Sequence, residues 1–263
     1  MLLAITLVFA NCENKQVKEV KVDEIAASNR EFYQLKIYTF DTEEQVAVTD
    51  QYLKEAYIPA VKKLGIESVG VFKQRLTEAD TLLKTFVLIP FNSMDKFLKI
   101  EGALEKDQAY QSAGSAYINA TYDQAPYQRF ESIIIKAFEK MPMMQASTVE
   151  GERSDRIYEL RSYESATEKI YKNKVDMFNA GGEVKLFDRL GFNAVFYGEV
   201  ISGAKMPNLM YMTTFSNQVK RDSLWKEFSN APEWQVLKAK PNYQNNVSHI
   251  DKMFLYPTAY SDY

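Results

Sequence analysis

Tyr33, Leu35 and Tyr38 recur as Tyr158, Leu160 and Tyr163, 125 residues later, and the correspondence continues towards the end of the chain. Leu64-Gly65 answers Leu190-Gly191 at an offset of 126, while Phe91 answers Phe215, and Tyr110-Gln111 answers Trp234-Gln235, at 124. Tyr127-Gln128, Ser132, Ile134, Lys136 and Phe138 then answer Tyr243-Gln244, Ser248, Ile250, Lys252 and Phe254 at 116. A nearly constant offset with one eight-residue step marks a duplicated domain carrying an insertion or deletion between Gln111 and Tyr127. The chain therefore divides into residues 31–141 and 156–263, joined by a linker at 142–155. Each unit has a length that supports one hydrophobic core.

The 263 residues carry a net charge of −3, and no run of lysine or arginine exceeds two. Nothing resembles the basic stripe that a phosphate backbone requires, so nucleic acid is not an expected partner. Residues 1–10 are apolar apart from Thr6 and are followed by Asn11 and by Cys12, the only cysteine. Ten residues are too short to span a bilayer but suit the apolar centre of a secretion signal. A cysteine at this point resembles the lipobox of bacterial lipoproteins, although Phe9 and Asn11 depart from the usual pattern. The expectation is a signal and lipobox segment at 1–12, lipidation of Cys12, and a charged, flexible tether at 13–30. Membrane contact would then run only through the lipid anchor, with the protein periplasmic or associated with the outer membrane, and otherwise secreted. A single cysteine leaves no intramolecular disulfide and no cysteine-based metal site.

In the second repeat, 157–164 alternates apolar with polar residues as a strand does, and 166–179 has helical spacing. Gly181-Gly182 interrupts this helix, which resumes over 183–190 and stops at Gly191. Residues 192–200 and 209–215 read as strands. Asn217 caps a further helix through Phe228, Pro232 opens another turn through Leu237, and 247–255 closes the unit as a strand. The order β-α-β-β-α-β is ferredoxin-like. The first repeat follows it, with strands near 32–39, 67–74, 82–91 and 130–138 and helices near 43–64, 93–100 and 103–119. The fold class is α+β, with tandem ferredoxin-like domains. Helices cover one face of such a sheet. Alternation assigns Tyr158, Leu160 and Ser162 to the helices and leaves Glu159, Arg161 and Tyr163 on the open face, where the two sheets of one chain can meet as a barrel.

Tyr158-Glu159-Leu160-Arg161-Ser162-Tyr163, Gly191-Phe192-Asn193-Ala194-Val195-Phe196-Tyr197-Gly198-Glu199, the segment Met206 to Phe215 and Pro232-Glu233-Trp234 resemble motifs of the NIPSNAP family. The first repeat keeps only the Tyr-x-Leu-x-x-Tyr opening. The resemblance implies the dimeric α+β barrel superfamily, whose relatives include cofactor-independent monooxygenases and haem-dependent enzymes. One fold hosting many activities does not choose among them.

Glu159, Arg161 and Tyr163, with Tyr197 and Glu199, are the candidate pocket residues of the motif-rich second repeat. Arg161 could grip an anion in bidentate fashion. The alternative is a salt-bridged sheet surface that binds nothing. His249, the only histidine, is a candidate base or haem ligand, against a structural or exposed role. No hydrolase motif, phosphate loop or multi-histidine metal centre is present, and neither metal nor cofactor is predicted. The leading expectation is a non-catalytic small-molecule or protein binding module of the cell envelope. The alternatives are a cofactor-independent monooxygenase or isomerase holding a small aromatic or polyketide-like substrate in the barrel, and haem binding through His249. The two repeats are expected to pair within the chain, and a homodimer is compatible with the same architecture.

Overall fold

The computed structural model describes residues 30–77 and 82–263. The expected signal segment, Cys12 and the tether up to residue 29 lie outside the described residues. The first repeat runs β1 (Phe32–Phe40), α1 (Glu43–Tyr52), a π-helical turn (Leu53–Tyr57), α2 (Ile58–Lys63), β2 (Gly70–Gln74), β3 (Leu83–Phe91), α3 (Met94–Leu104), α4 (Gln108–Ala113), α5 (Ser115–Ile118) and β4 (Arg129–Ala137). The second runs β5 (Ile157–Glu164), α6 (Glu168–Asn179), α7 (Glu183–Leu190), β6 (Asn193–Ser202), β7 (Asn208–Phe215), α8 (Gln218–Asn230), α9 (Pro232–Ala239) and β8 (His249–Pro257).

Local chemistry sets these limits. Thr42, Ser93, Thr167 and Asn217 each accept a backbone N–H from the first turn of their helix, which satisfies donors that the helix itself cannot. Gly191 ends α7 at φ +81°, a left-handed conformation that glycine adopts without a Cβ clash. The break between α6 and α7 has a steric cause: a Cβ on Gly181 would run into the carbonyl of Met177, and Gly182 sits at φ +92°.

The strands close into one barrel in the order β1-β3-β2-β8-β5-β7-β6-β4, antiparallel throughout the pairs described. Each repeat supplies a four-stranded ferredoxin-like sheet, and the seams are β2 with β8 and β4 with β6. The β4–β6 seam depends on Gly198, where an added Cβ would collide with Ile135 and lie 2.9 Å from the Lys136 carbonyl. Gly198→Ala should therefore cost about 1–3 kcal/mol through overpacking, read as a lower midpoint in urea unfolding. An unchanged midpoint would mean that the seam relaxes freely.

Strand pairing corrects the repeat alignment. Leu35 lies opposite Ile133, and the equivalent Leu160 lies opposite Met253, so β4 and β8 correspond at an offset of 120 rather than 116. The length difference after Gln111 is thus four residues, not eight. Both strands alternate with period two, and an even slip preserves the pattern of faces.

It also reverses the expected faces. Tyr158 and Leu160 point into the barrel with Tyr33, Leu35, Phe72 and Phe196, whereas Tyr163 packs under the helices with Phe178, Phe187 and Tyr211. Seven of the eight residues of β5 are buried, so hydrophobicity cannot identify the helix side. In an eight-stranded barrel the interior is narrow enough to be filled by side chains and becomes the drier compartment. Rings interlock across it, with Tyr33 and Phe196 at 5.4 Å and Phe72 and Tyr158 at 4.8 Å between centroids. A substrate inside the barrel, as the oxygenase alternative required, has no room there.

Candidate functional site

Glu159, Arg161 and Tyr163 are brought together, but into a closed ion network on the helix side of the sheet. The Glu159 carboxylate is fully buried. It accepts from Arg161 Nε at 2.7 Å, from Arg221 Nε and Nη2 at 2.8 Å each, and from Trp225 Nε1 at 2.8 Å. Burial pushes its pKa up, but the bonds from Arg221 and the charge of Arg161 outweigh this and hold it below the usual carboxylate value. Arg161 also donates to Tyr163 Oη at 3.1 Å, and its guanidinium stacks 3.6 Å above the Trp225 ring. Tyr163 and Tyr211 share a hydrogen bond of 2.8 Å. None of these residues lines the cavities described below, and their charges are paired with one another, as in the salt-bridged alternative. Arg221 and Trp225 were not legible as members, because α8 places them and only its docking reveals the contact.

Tyr197 stands in the aromatic cluster beneath α6 and α7, 5.5 Å from Tyr211 between ring centroids. Glu199 faces away from the barrel and pairs with Arg30 at 2.6 Å, so it adds no acid to a shared pocket. His249 is exposed at a barrel mouth, its Nε2 3.0 Å from Asp251 Oδ1. Glu164, His249 and Asp251 form a group whose ligand atoms lie within 4.8 Å of one another, but Lys205 is already paired with Asp251. The space at this mouth is about 120 Å³, below the roughly 300 Å³ of ordinary small-molecule sites. A haem on His249 does not fit these residues.

The corresponding strand of the first repeat is built differently. Gln34, Lys36 and Tyr38 occupy the positions of Glu159, Arg161 and Tyr163, and they open onto a cavity of about 520 Å³ between the sheet and α1 to α5. At the offset of 124, Phe97 and Glu101 stand where α8 carries Arg221 and Trp225. Without the tryptophan the space over Lys36 stays open; without a carboxylate at the position of Glu159, Lys36 forms no salt bridge among the described residues. Gln34 turns aside to Ser132 Oγ at 2.7 Å.

Lys36 is 8% exposed and makes no hydrogen bond or salt bridge among the described residues. Its Nζ lies 4.6 Å from the centre of the Tyr57 ring. Burial lowers its pKa to about 8 against the opposing charge of Glu101. The walls carry Tyr38, Tyr52, Tyr57, Tyr110 and Tyr117. Tyr52 and Tyr117 stack face to face at 3.8 Å, Tyr52 and Tyr110 share a hydroxyl contact of 2.8 Å, and Tyr117 donates to Tyr38 at 3.4 Å. Burial raises the pKa of each of these phenols, that of Tyr38 to about 12, so they are hydrogen-bond donors and acceptors rather than anions at neutral pH.

Two local devices create this wall. The π-helical turn makes Tyr52 and Tyr57 near neighbours, 5.9 Å apart; in an unbroken α-helix, residues five apart point roughly 140° away from each other. Tyr117 comes from α5, in the stretch where the repeats differ in length. The rim includes Leu98, 71% exposed, with Phe130, Glu101 and Glu105.

A larger cleft of about 850 Å³ lies between residues 140–148 and α6, α7 and β6. It is lined mostly by chemistry typical of surfaces, including Lys140, Gln145, Asn179 and Lys185, with the buried candidate Tyr197 in its wall and no buried cation. Size alone therefore does not locate the site.

The whole architecture is shared with solved structures. A proposed monooxygenase from Fusobacterium nucleatum subsp. nucleatum ATCC 25586 superposes with a TM-score of 0.56 at 9% identity, covering 87% of this chain and 92% of its own. Another from Lactobacillus acidophilus NCFM gives 0.51 at 9% identity, over 87% and 94%. At such identities the likeness shows the fold alone. An uncharacterized NIPSNAP-like domain protein from Burkholderia xenovorans is 18% identical over 41% of this chain and 90% of its own, with a TM-score of 0.37. No curated protein matches the chain. Residues 158–262 match the NIPSNAP family model, so the likeness to that family lies in the second repeat, with its closed ion network.

Proposed function

We propose that the protein binds a small aromatic molecule bearing an acidic oxygen, a carboxylate or phenolate, in the cavity of the first repeat. The observation that carries this reading is Lys36, a buried ammonium that no carboxylate among the described residues hydrogen-bonds, at the floor of a tyrosine-walled space. A desolvated cation is costly, and an anionic ligand would supply the partner that Glu159 supplies to Arg161. The cavity volume lies within the range of small-molecule sites. The stacked tyrosines suit a planar ring.

Isothermal calorimetry with 1-hydroxy-2-naphthoate tests the reading. One site is expected on the full chain, weakened roughly 10- to 100-fold by Lys36→Met through loss of a charge-assisted bond. The pH dependence has a defined sign. The anion prefers the protonated amine, so affinity is flat below about pH 8 and falls about tenfold per pH unit above it. Equal affinity for wild type and Lys36→Met would remove the proposal.

A further inference from the structure

Three features of the cavity go beyond recognition of an anion. First, a lysine held only for its charge is normally surrounded by acceptors, as Lys174 is by Glu183 at 2.8 Å on the other repeat's helix side. Lys36 hydrogen-bonds none of the described residues: its Nζ lies over the Tyr57 ring, and Glu101 reaches it only through its charge. Second, the amine is mounted on β1, paired on both sides by β3 and β4, so its base is fixed. Third, neutral phenols surround it, including Tyr38 from the same face of the same strand. A rigid amine among weak acids, facing an open apolar cavity, has the parts needed for carbonyl condensation.

We infer that Lys36 forms a reversible imine with an aromatic aldehyde or ketone bound in the first-repeat cavity. The Nζ lone pair attacks the carbonyl carbon, and the nitrogen loses a proton while the oxygen gains one, giving a carbinolamine. The C–O bond then breaks as a neighbouring tyrosine hydroxyl lends a proton to the leaving oxygen, which departs as water. The nitrogen lone pair closes the C=N bond, and loss of the remaining N–H proton restores the phenol. The carbonyl oxygen leaves as water, nothing is oxidised or reduced, and no co-reactant is required.

The same burial that leaves Lys36 unpaired makes this chemistry selective. With a pKa near 8 rather than 10.5, a substantial part of the amine is neutral at pH 7.4, against a trace for a solvated lysine. The expected advantage is on the order of 100-fold in rate over surface lysines. The ring of the carbonyl compound would lie among Tyr52, Tyr57 and Tyr117, and an ortho hydroxyl would have the other phenols as hydrogen-bond partners.

This inference rests on reading the cavity as a small-molecule site, and one experiment separates the two. The full-length protein is incubated at pH 7.4 with salicylaldehyde and cyanoborohydride, which converts any imine into a stable secondary amine. The labelled residue is then located by peptide mass spectrometry, with and without 1-hydroxy-2-naphthoate. The expected result is one early adduct, on Lys36, roughly 100-fold faster than on any other lysine and suppressed by the naphthoate. Labelling spread evenly over the lysines would overturn the imine; if calorimetry still gave Lys36-dependent naphthoate binding, the binding proposal would stand without it. Rapid Lys36 labelling that naphthoate fails to suppress would support the imine while removing the anion reading. The mapping uses unaltered protein, so it does not depend on a variant folding.

Discussion

Lys36→Met is expected to make the protein more stable by about 2–3 kcal/mol at pH 7, even as it weakens the ligand. The gain follows from the lowered pKa, about 8 in the folded chain against 10.5 when solvated. Between these values the unfolded chain binds more protons than the folded one, so wild-type stability rises with pH through the window from 8 to 10.5 and the full penalty is present below pH 8. Each pKa unit corresponds to about 1.4 kcal/mol, less the modest contact of the ammonium with the Tyr57 ring. Methionine has a similar length and no charge, so the cavity floor is kept. Urea unfolding at pH 7 and pH 10 reads both parts: a higher midpoint for the variant at pH 7, and a wild-type gain at pH 10 that the variant lacks. A variant less stable than wild type at pH 7 would show that Lys36 is a satisfied structural group.

Glu159→Ala should have the opposite and larger effect, a loss of about 3–5 kcal/mol. It leaves Arg161 and Arg221 facing each other beneath α8, with Trp225 Nε1 also deprived of its acceptor. Replacing Glu159, Arg161 and Arg221 together by apolar residues of similar volume should recover most of that loss, because no buried charge then remains. Acid provides a second measure. The Glu159 pKa is lowered in the folded state, so its contribution is complete above the ordinary carboxylate value of 4.5 and disappears as pH falls through the lowered folded value. Wild type and the apolar triple variant should therefore diverge in stability on acidification, with the triple variant declining less. Parallel acid profiles would contradict the network's role.

Much of the architecture was legible in sequence because it rests on local rules. Asn217 as a cap, Gly191 as a stop and Pro232 at the start of α9 fall where capping chemistry puts them. Duplication fixed the β-α-β-β-α-β order twice and suggested that one chain could close its own barrel, as the β2–β8 and β4–β6 seams do.

What sequence concealed depended on long-range packing. Alternation along β5 separates Tyr158 and Leu160 from Glu159 and Arg161, but it carries no sign for which set meets the helices. That sign reversed the placement of the candidate residues. The π-helical turn that brings Tyr52 beside Tyr57 leaves no composition signal in LKEAY. Most consequential was the choice of repeat. The motif-rich second half looked like the place for chemistry, yet its conspicuous Glu and Arg are occupied with each other. Nothing in the sequence distinguishes Lys36, because a lysine on a strand looks like a solvated residue until the helices bury it.

The duplication thus left two versions of one position: Arg161, neutralised and roofed by Trp225, and Lys36, unpaired beneath an open space. The most direct test of that contrast is the crystal structure of the protein with 1-hydroxy-2-naphthoate. The account predicts ligand density in the first-repeat cavity, with an acidic oxygen about 2.8 Å from Lys36 Nζ and the ring against Tyr52 or Tyr57. Density confined to the second repeat's outer cleft or to the barrel mouth, with the Lys36 cavity empty, would contradict it.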